Sequence, residues 1–147
     1  MKIVIGSDHA GFPLKQKVLD YLNKNYEVMD CGCYTEESVD FPDVAKKVCS
    51  AILDGQAERG IMFCGTGVGA AIACNKVKGI RASVVHDIYS AHQAVEHDDV
   101  QVITLGNQVV GYSVATDLIE TFLHARFSDE EDFRRRVSKL DRMDEER

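Results

Sequence analysis

The stretch that decides the fold is GIMFCGTGVGAAIACN, residues 60–75. Gly60–Phe63 is a short apolar run that predicts a buried strand, and the small residues of Ala70–Asn75 predict a short helix. The glycines between them allow a tight turn. A strand that passes through a glycine turn directly into a helix is typical of a βαβ unit, so this stretch predicts a parallel sheet.

The same alternation of strand and helix extends to both ends of the chain. The predicted strands are Lys2–Gly6, Glu27–Asp30, Gly60–Phe63, Arg81–Val85 and Gln101–Leu105. The predicted helices are Phe12–Asn23, Pro42–Leu53, Ala70–Asn75, Asp87–Val95 and Tyr112–Leu123. Five strand–helix units with short loops predict an α/β fold in which helices cover both faces of a five-stranded parallel sheet. Residues 1–147 are therefore expected to form a single domain.

A final helix is predicted over about residues 128–145. Ser128 and Glu131 have the spacing of a capping box, which marks a helix start. An apolar seam follows at helical spacing, and its members are Phe133, Val137 and Leu140. So narrow a seam predicts a helix that docks on a partner subunit, and the alternative is an amphipathic helix that closes the same domain.

Composition excludes several classes of protein. The chain carries 17 Lys and Arg against 24 Asp and Glu, a net charge of −7, which makes it a poor candidate for a nucleic-acid binder. No apolar run has the length of a membrane span, and the N-terminal MKIVIGSDHAG has the pattern of a first strand and not of a signal peptide. Five cysteines without a Cys-x-x-Cys pair are expected to be free thiols. We therefore expect a cytoplasmic protein that holds no structural metal.

Ligands of open parallel α/β sheets bind at the carboxyl ends of the strands. Three clusters are predicted to lie there: Ser7–Gly11 after the first strand, Cys64–Gly69 after the third strand, and His97–Asp99 just before the fifth strand. Because His9 and His97 fall within these clusters, they are the candidate functional residues among the five histidines.

The glycine loop is the strongest chemical signal in the sequence. Backbone N–H groups exposed at a helix N-terminus form a site for an anion or a developing oxyanion. Cys64 opens this loop, and a thiol beside such donors is expected to be partly thiolate and reactive. The alternative is that Cys64 is a buried strand residue, as Cys49 and Cys74 are expected to be buried helix residues.

The same loop has features of a nucleotide site. Gly65, Gly67 and Ala70 match G-x-G-x-x-A, and Asp87 follows about 20 residues later. Against this interpretation, the loop opens the third strand–helix unit instead of the first, and no G-K-[S/T] follows. A nucleotide-binding module remains as an alternative of a different class.

Six motifs resemble those of the RpiB/LacAB family of sugar-phosphate isomerases, the family of type B ribose-5-phosphate isomerase. They are GSDHAG (6–11), SVDFPD (38–43), CGTGVG (64–69), NKVKGIRA (75–82), EHDD (96–99) and LGNQVVG (105–111). They occur in the order and spacing of the family, and the resemblance extends from Met1 to about Arg136. The resemblance implies a Rossmann-like three-layer αβα sandwich. It also implies a homodimer or homotetramer with active sites between subunits, and a reaction without metal or cofactor.

The resemblance also implies roles for individual residues. Cys64 would be the base that moves a proton between C1 and C2 of a phosphosugar, and Thr66 with the loop amides would hold the enediolate oxygens. His97 of a partner subunit would help to open the sugar ring, and Arg136 would bind the phosphate. The full set implied to bind substrate is Asp8, His9, Gly65, Thr66, Gly67, Val68, Gly69, Asp98 and Arg136.

The chain departs from the family pattern mainly where the phosphate is usually bound. Gln108 and Asp132 stand where arginines are usual, and Phe133 stands where a histidine is usual. Asp98 replaces the usual asparagine after the histidine, and Phe41 replaces a common tyrosine. We expect ribose 5-phosphate and ribulose 5-phosphate as the substrate pair. The alternatives are erythrulose 4-phosphate, allose 6-phosphate and galactose 6-phosphate.

Overall fold

A computed structural model describes residues 1–147. The strands are β1 (Lys2–Ser7), β2 (Glu27–Asp30), β3 (Arg59–Cys64), β4 (Ala82–Val84) and β5 (Val102–Gly106). The helices are α1 (Phe12–Asn25), α2 (Phe41–Leu53), α3 (Val68–Asn75), α4 (Ile88–Asp98), α5 (Tyr112–His124) and α6 (Glu131–Glu145). Every predicted strand and helix is present, and the α/β prediction is confirmed.

The sheet is parallel throughout, with the strand order β2-β1-β3-β5-β4. The chain leaves β1 toward β2 on one side and leaves β3 toward β5 and β4 on the other. Diverging connections of this kind open a crevice beyond the carboxyl ends of the two strands from which they start. In this chain the crevice lies between the ends of β1 and β3.

Helices cover both faces of the sheet and complete three layers. Helices α1, α4 and α5 contribute to one apolar cluster, and α2 and α3 contribute to the other. Consecutive residues of β1 alternate between the two, since Ile3 and Ile5 belong to the first cluster and Val4 to the second. Because both faces of the three central strands β1, β3 and β5 are buried, these strands are largely apolar, and an apolar run predicts them better than an alternating pattern would.

One charged side chain lies in the interior. Lys15 of α1 is fully buried. Its Nζ donates hydrogen bonds to Asp30 Oδ1 at 2.8 Å and to the carbonyl oxygen of Cys33 at 2.5 Å, and it lies 5.3 Å from the ring centroid of Tyr34. These contacts hold the segment that follows β2 against α1.

The start of α6 differs from the prediction. The helix begins at Glu131, and its N-cap residue is Glu130, whose side chain makes no capping hydrogen bond. The hydroxyl of Ser128 accepts the N–H of Glu130 at 3.0 Å in a turn before the helix. The capping-box prediction is therefore wrong, because Ser128 lies too early in the chain to cap α6.

Two of the three residues of the α6 apolar seam face their own chain, and the third, Leu140, is exposed. Val137 is buried, and the ring of Phe133 stacks on that of His97 at the end of α4. Farther along the helix, Asp141 pairs with Arg81 at 2.8 Å. Phe133 and Val137 thus help to close the same domain, as the alternative interpretation has it, and docking of α6 on a partner subunit stays a prediction.

None of the helices combines the length and the apolar character needed to span a membrane.

Candidate active site

The glycine loop after β3 is folded tightly against β5. Gly67 has a φ of +86°, which is the left-handed conformation that favours glycine. The fully buried Thr104 donates its hydroxyl to the carbonyl oxygen of Gly67 at 2.6 Å. Gly106 is needed for the same approach, since a Cβ there would lie 2.5 Å from the carbonyl carbon of Thr66. The backbone of the loop is therefore held in a fixed shape.

Cys64 lies at the base of this loop, at the carboxyl end of β3. Its side chain is nearly buried, and its Sγ accepts the backbone N–H of Gly67 at 3.0 Å. The sulfur therefore lies against a backbone donor, just before the start of α3.

Several donors of the loop are free to bind a ligand. The backbone N–H groups of Gly65, Thr66 and Gly69 make no hydrogen bond within the chain. The hydroxyl of Thr66 accepts the N–H of Val68 at 3.2 Å, so its own O–H remains available to donate. Free donors on a backbone that is fixed before a ligand arrives can stabilise a developing oxyanion.

Asp8 and His9 lie beside this loop, because β1 and β3 are neighbours. The N–H of Asp8 donates to the carbonyl oxygen of Phe63 at 3.3 Å, and Asp8 Oδ1 accepts the N–H of Gly11 at 2.9 Å. His9 Nδ1 lies 3.1 Å from the backbone nitrogen of Val39 and 3.2 Å from its carbonyl oxygen. The turn after β1 and the loop after β3 thus form opposite walls of the crevice.

Sequence reasoning missed two residues that support these groups. Thr104 fixes the glycine loop, and its signal is a lone hydroxyl within the otherwise apolar strand VITLG. Val39 orients His9 through its backbone, which leaves no signal in the residue type.

The third predicted cluster lies at the opposite edge of the sheet. Helix α4 starts after the carboxyl end of β4 and returns to the amino end of β5, so His97 and Asp98 at its C-terminus are at the amino edge. Arg81, just before β4, donates to the carbonyl oxygen of Asp98 at 2.9 Å, which fixes that location. The prediction that the cluster lies with Cys64 at the carboxyl edge is therefore wrong within one chain.

Arg136 lies with the amino-edge cluster. Its guanidinium carbon is 5.6 Å from the ring centroid of Phe133, which in turn stacks on His97 with ring centroids 3.9 Å apart. The candidate residues thus form two groups. The carboxyl-edge group comprises Asp8, His9, Cys64, Gly65, Thr66, Gly67, Val68 and Gly69, and the amino-edge group comprises His97, Asp98 and Arg136.

The remaining cysteines are free, and Cys49 and Cys74 are fully buried as predicted. A hydrogen bond with Cys49 and burial raise the pKa of the Cys74 thiol, which keeps it neutral. Burial and the neighbouring carboxylate of Asp30 raise the pKa of Cys31. No three His, Cys, Asp or Glu side chains come together as a metal site would require.

Comparison with known proteins agrees with this architecture. The sequence profile of the family described as Ribose/Galactose Isomerase matches residues 3–140. A protein of Listeria innocua serovar 6a named Ribose-5-P isomerase B is 42% identical over 146 residues, which is 99% of this chain and 96% of that protein. A protein of Pectobacterium atrosepticum named D-erythrulose-4-phosphate isomerase is 43% identical over 129 residues, 86% of this chain and 85% of that one. The structure of Clostridium thermocellum ribose-5-phosphate isomerase B matches with a TM-score of 0.96 at 45% identity, covering 99% of both chains.

Proposed function

Because this chain belongs to the ribose/galactose isomerase family, we propose that it interconverts ribose 5-phosphate and ribulose 5-phosphate through an enediolate, with Cys64 as the base. The observation that carries this proposal is the single N–H of Gly67 on the Cys64 sulfur, at the base of a loop in which the amides of Gly65, Thr66 and Gly69 are free. Similarity to relatives named as ribose-5-phosphate isomerase B supports the substrate pair.

The proton transfer needs one poised base and no external reactant. The Cys64 thiolate takes the proton from C2 of the open-chain aldose, and the electron pair moves to the carbonyl oxygen on C1 to give the enediolate. The same proton returns from the sulfur to C1, while the hydroxyl proton on O2 moves to O1. This step forms the ketose and regenerates the thiolate. The transfer of one proton between neighbouring carbons by a side chain is general acid–base catalysis.

The loop donors stabilise the charge that develops during this step. The amides of Gly65, Thr66 and Gly69 and the Thr66 hydroxyl face the enediolate oxygens, with Gly67 and Val68 holding the backbone in place. Fixed donors of this kind are worth about 10²–10³-fold in rate each when aimed at a developing oxyanion. Asp8 and His9 contact the sugar hydroxyls from the opposite wall.

A complete site takes residues from two copies of the chain. Cys64 and His97 lie at opposite edges of the sheet in one chain, so a sugar held on the Cys64 loop meets His97, Asp98 and Arg136 of a second copy. This requirement supports a homodimer, or a homotetramer built from such dimers. In that site His97 assists ring opening, and Arg136 binds the phosphate.

Erythrulose 4-phosphate is the second candidate substrate. Arg134 and Arg135 are each engaged in an ion pair, so Arg136 is the only one of the three consecutive α6 arginines that is free to bind a phosphate. With a single free cation, the amino-edge group offers the phosphate little positive charge. A relative named D-erythrulose-4-phosphate isomerase is as similar in sequence as those named for ribose 5-phosphate. The ratio of kcat/KM for the two sugars on purified protein decides between them.

Five free cysteines fit a reducing compartment, which supports a cytoplasmic location.

Cys64→Ala is the test of the proposed chemistry. Loss of a general base typically costs about 10²–10⁴-fold in rate, so we expect that loss in kcat with an unchanged circular dichroism spectrum. Cys31→Ala, at a half-buried cysteine outside the loop, is the matched control and should keep full activity. A folded Cys64→Ala protein with near-native turnover would refute Cys64 as the base.

A further inference from the structure

His97 is oriented by the face of its ring instead of by a hydrogen bond. Its imidazole stacks on the ring of Phe133 with centroids 3.9 Å apart and an angle of 10° between the planes. Neither ring nitrogen makes a hydrogen bond within the chain, and the nearest carboxylate oxygen, on Glu96, is 3.8 Å from Nε2. By contrast, His9 and His124 each have a ring nitrogen within hydrogen-bond distance of a backbone group.

A face contact has a consequence that a hydrogen bond lacks. It fixes the tilt of the imidazole while both nitrogens, which lie in the plane of the ring, stay free to exchange protons with a ligand. Stacked aromatic pairs contribute about 0.5–1.5 kcal/mol beyond the area they bury, which is enough to select one ring orientation.

Phe133 is itself held in place by α6. The helix packs on its own chain through the buried Val137, and Arg81 joins Asp141 of α6 to the C-terminus of α4. Phe133 therefore reaches His97 from a rigid element that is fastened at a second point along its length.

The same ring contacts the proposed phosphate ligand. The guanidinium carbon of Arg136 lies 5.6 Å from the Phe133 ring centroid, within the range of a cation–π contact. Arg136 makes no ion pair that would orient it otherwise. One aromatic side chain therefore touches both the group that opens the sugar ring and the cation that binds the phosphate.

This inference rests on the proposed function. We propose that Phe133 is a positioning residue that sets the orientation of His97 and its placement beside Arg136. It touches no reacting atom itself. Its planar ring contacts both groups and acts on the substrate only through them.

Two substitutions at Phe133 separate ring geometry from apolar volume. Phe133→Leu keeps an apolar side chain but removes the flat face, whereas Phe133→Tyr keeps the face. We expect Phe133→Leu to lower kcat from ribose 5-phosphate on the order of 10- to 100-fold and to raise KM, because misplacing a catalytic group by about 1 Å has effects of this size. Phe133→Tyr should keep near-native values.

Phe127→Leu is the matched control. Phe127 is also a half-buried aromatic residue near the start of α6, and Arg134 lies over its ring at 4.7 Å, but no histidine stacks on it. Its replacement should leave the activity unchanged. The thermal melts of all three variants establish that each protein is folded.

An NMR measurement tests the contact without using activity. The ring current of Phe133 shifts the imidazole protons of His97 upfield, so these resonances should move downfield in Phe133→Leu and stay in place in Phe133→Tyr and Phe127→Leu. Unmoved His97 resonances in Phe133→Leu, or unchanged kinetics in that variant, would overturn the inference. Failure of the proposed function would show differently, as an active Cys64→Ala enzyme or a wild-type protein without isomerase activity.

Discussion

Three consecutive arginines on α6 differ in what holds their side chains. Arg134 donates to Asp129 Oδ1 at 3.2 Å, and Arg135 donates to Asp132 Oδ1 at 2.9 Å. Arg136 has no such partner. A guanidinium that is engaged with a carboxylate must give up that contact before it binds a phosphate, so Arg136 is the cation best placed to take the charge of the substrate.

Arg136→Ala is therefore expected to act on substrate binding. A hydrogen bond to a charged group is worth about 1.5–3 kcal/mol, so KM for the sugar phosphate should rise about 10- to 100-fold. The smaller change should be in kcat, because the phosphate is remote from the carbons that react. Arg135→Ala is the control, and an equal rise in KM there would show that Arg135 leaves Asp132 to bind the phosphate.

Single residues could be predicted where they directly follow a strand. Asp8 and His9 come straight after β1 and Cys64 is the last residue of β3, so the structure places them at the carboxyl edge as expected. His97 ends a helix, and a helix that follows a strand returns to the opposite edge, which is why its location was predicted wrongly. The lone hydroxyl of Thr104 is visible in the sequence of its apolar strand, but its role depends on the register between β3 and β5, which only the structure gives.

At the scale of elements, the side chain of Asp87 caps the N-terminus of α4. Asp87 Oδ1 accepts the backbone N–H of Ser90 at 2.7 Å, and this hydrogen bond lowers the pKa of Asp87. A capping carboxylate also interacts favourably with the positive end of the helix dipole. The N-terminus of α4 is thus stabilised by the ionised form of one side chain.

Asp87→Ala should lower Tm at neutral pH, and the size of the loss should depend on pH. The pKa of Asp87 is lower in the folded chain than in the unfolded one. The stabilisation of the folded state by the ionised carboxylate is therefore complete above about pH 4 and is lost as the pH falls through the folded-state pKa. The difference in Tm between wild type and Asp87→Ala should therefore shrink in acid.

Asp87→Asn provides the control for this titration. Asparagine is also a good cap residue but does not ionise, so its advantage over alanine should be independent of pH. Thermal melts from neutral pH down to about pH 3 test both statements, since that range spans the ordinary pKa of aspartate. A wild-type advantage over Asp87→Ala that stays constant in acid would contradict the role of the ionised cap.

Boundaries of elements were predictable where a residue type fixes the backbone. Pro13 lies in the first turn of α1, and Gly55 has a φ of +76° just after α2. The start of α6 was not predictable in this way. Ser128 and Glu131 have capping-box spacing, but the chain turns at Ser128 and enters the helix only after Glu130.

At the scale of the whole molecule, the order of elements predicted a parallel sheet with helices on both faces, but the strand order had to come from the structure.

The proposed two-copy site is a property of the molecule at this same scale. It requires that each site draw its base from one chain and its ring-opening histidine from another.

Mixing two inactive variants tests that requirement. Cys64→Ala and His97→Asn should each be nearly inactive alone, but a mixed dimer contains one site in which both residues are intact. After dissociation and random reassembly of equal amounts, about half of the dimers should be mixed. Each mixed dimer has one intact site of two, so about a quarter of all sites should be active.

The control for this experiment mixes two variants that are damaged in the same loop, Cys64→Ala and Thr66→Ala. Every site in that mixture carries one defect, so no activity above the average of the two parents should appear. Native mass spectrometry establishes that mixed dimers have formed. Mixed dimers of Cys64→Ala and His97→Asn without a gain in activity would contradict a site shared between chains.

The buried ammonium of Lys15 restricts how this sequence can diverge. If Asp30 mutates first, the charge is left without its partner in the interior, at a cost of about 3–5 kcal/mol. That is a large part of the roughly 5–15 kcal/mol by which a domain is stable. If Lys15 mutates first, the carboxylate of Asp30 and the carbonyl oxygen of Cys33 lose their donor. Neither Lys15 nor Asp30 can be replaced alone without such a loss, so we expect related proteins to keep both residues or to replace both. In evolution α1 and β2 would then change together.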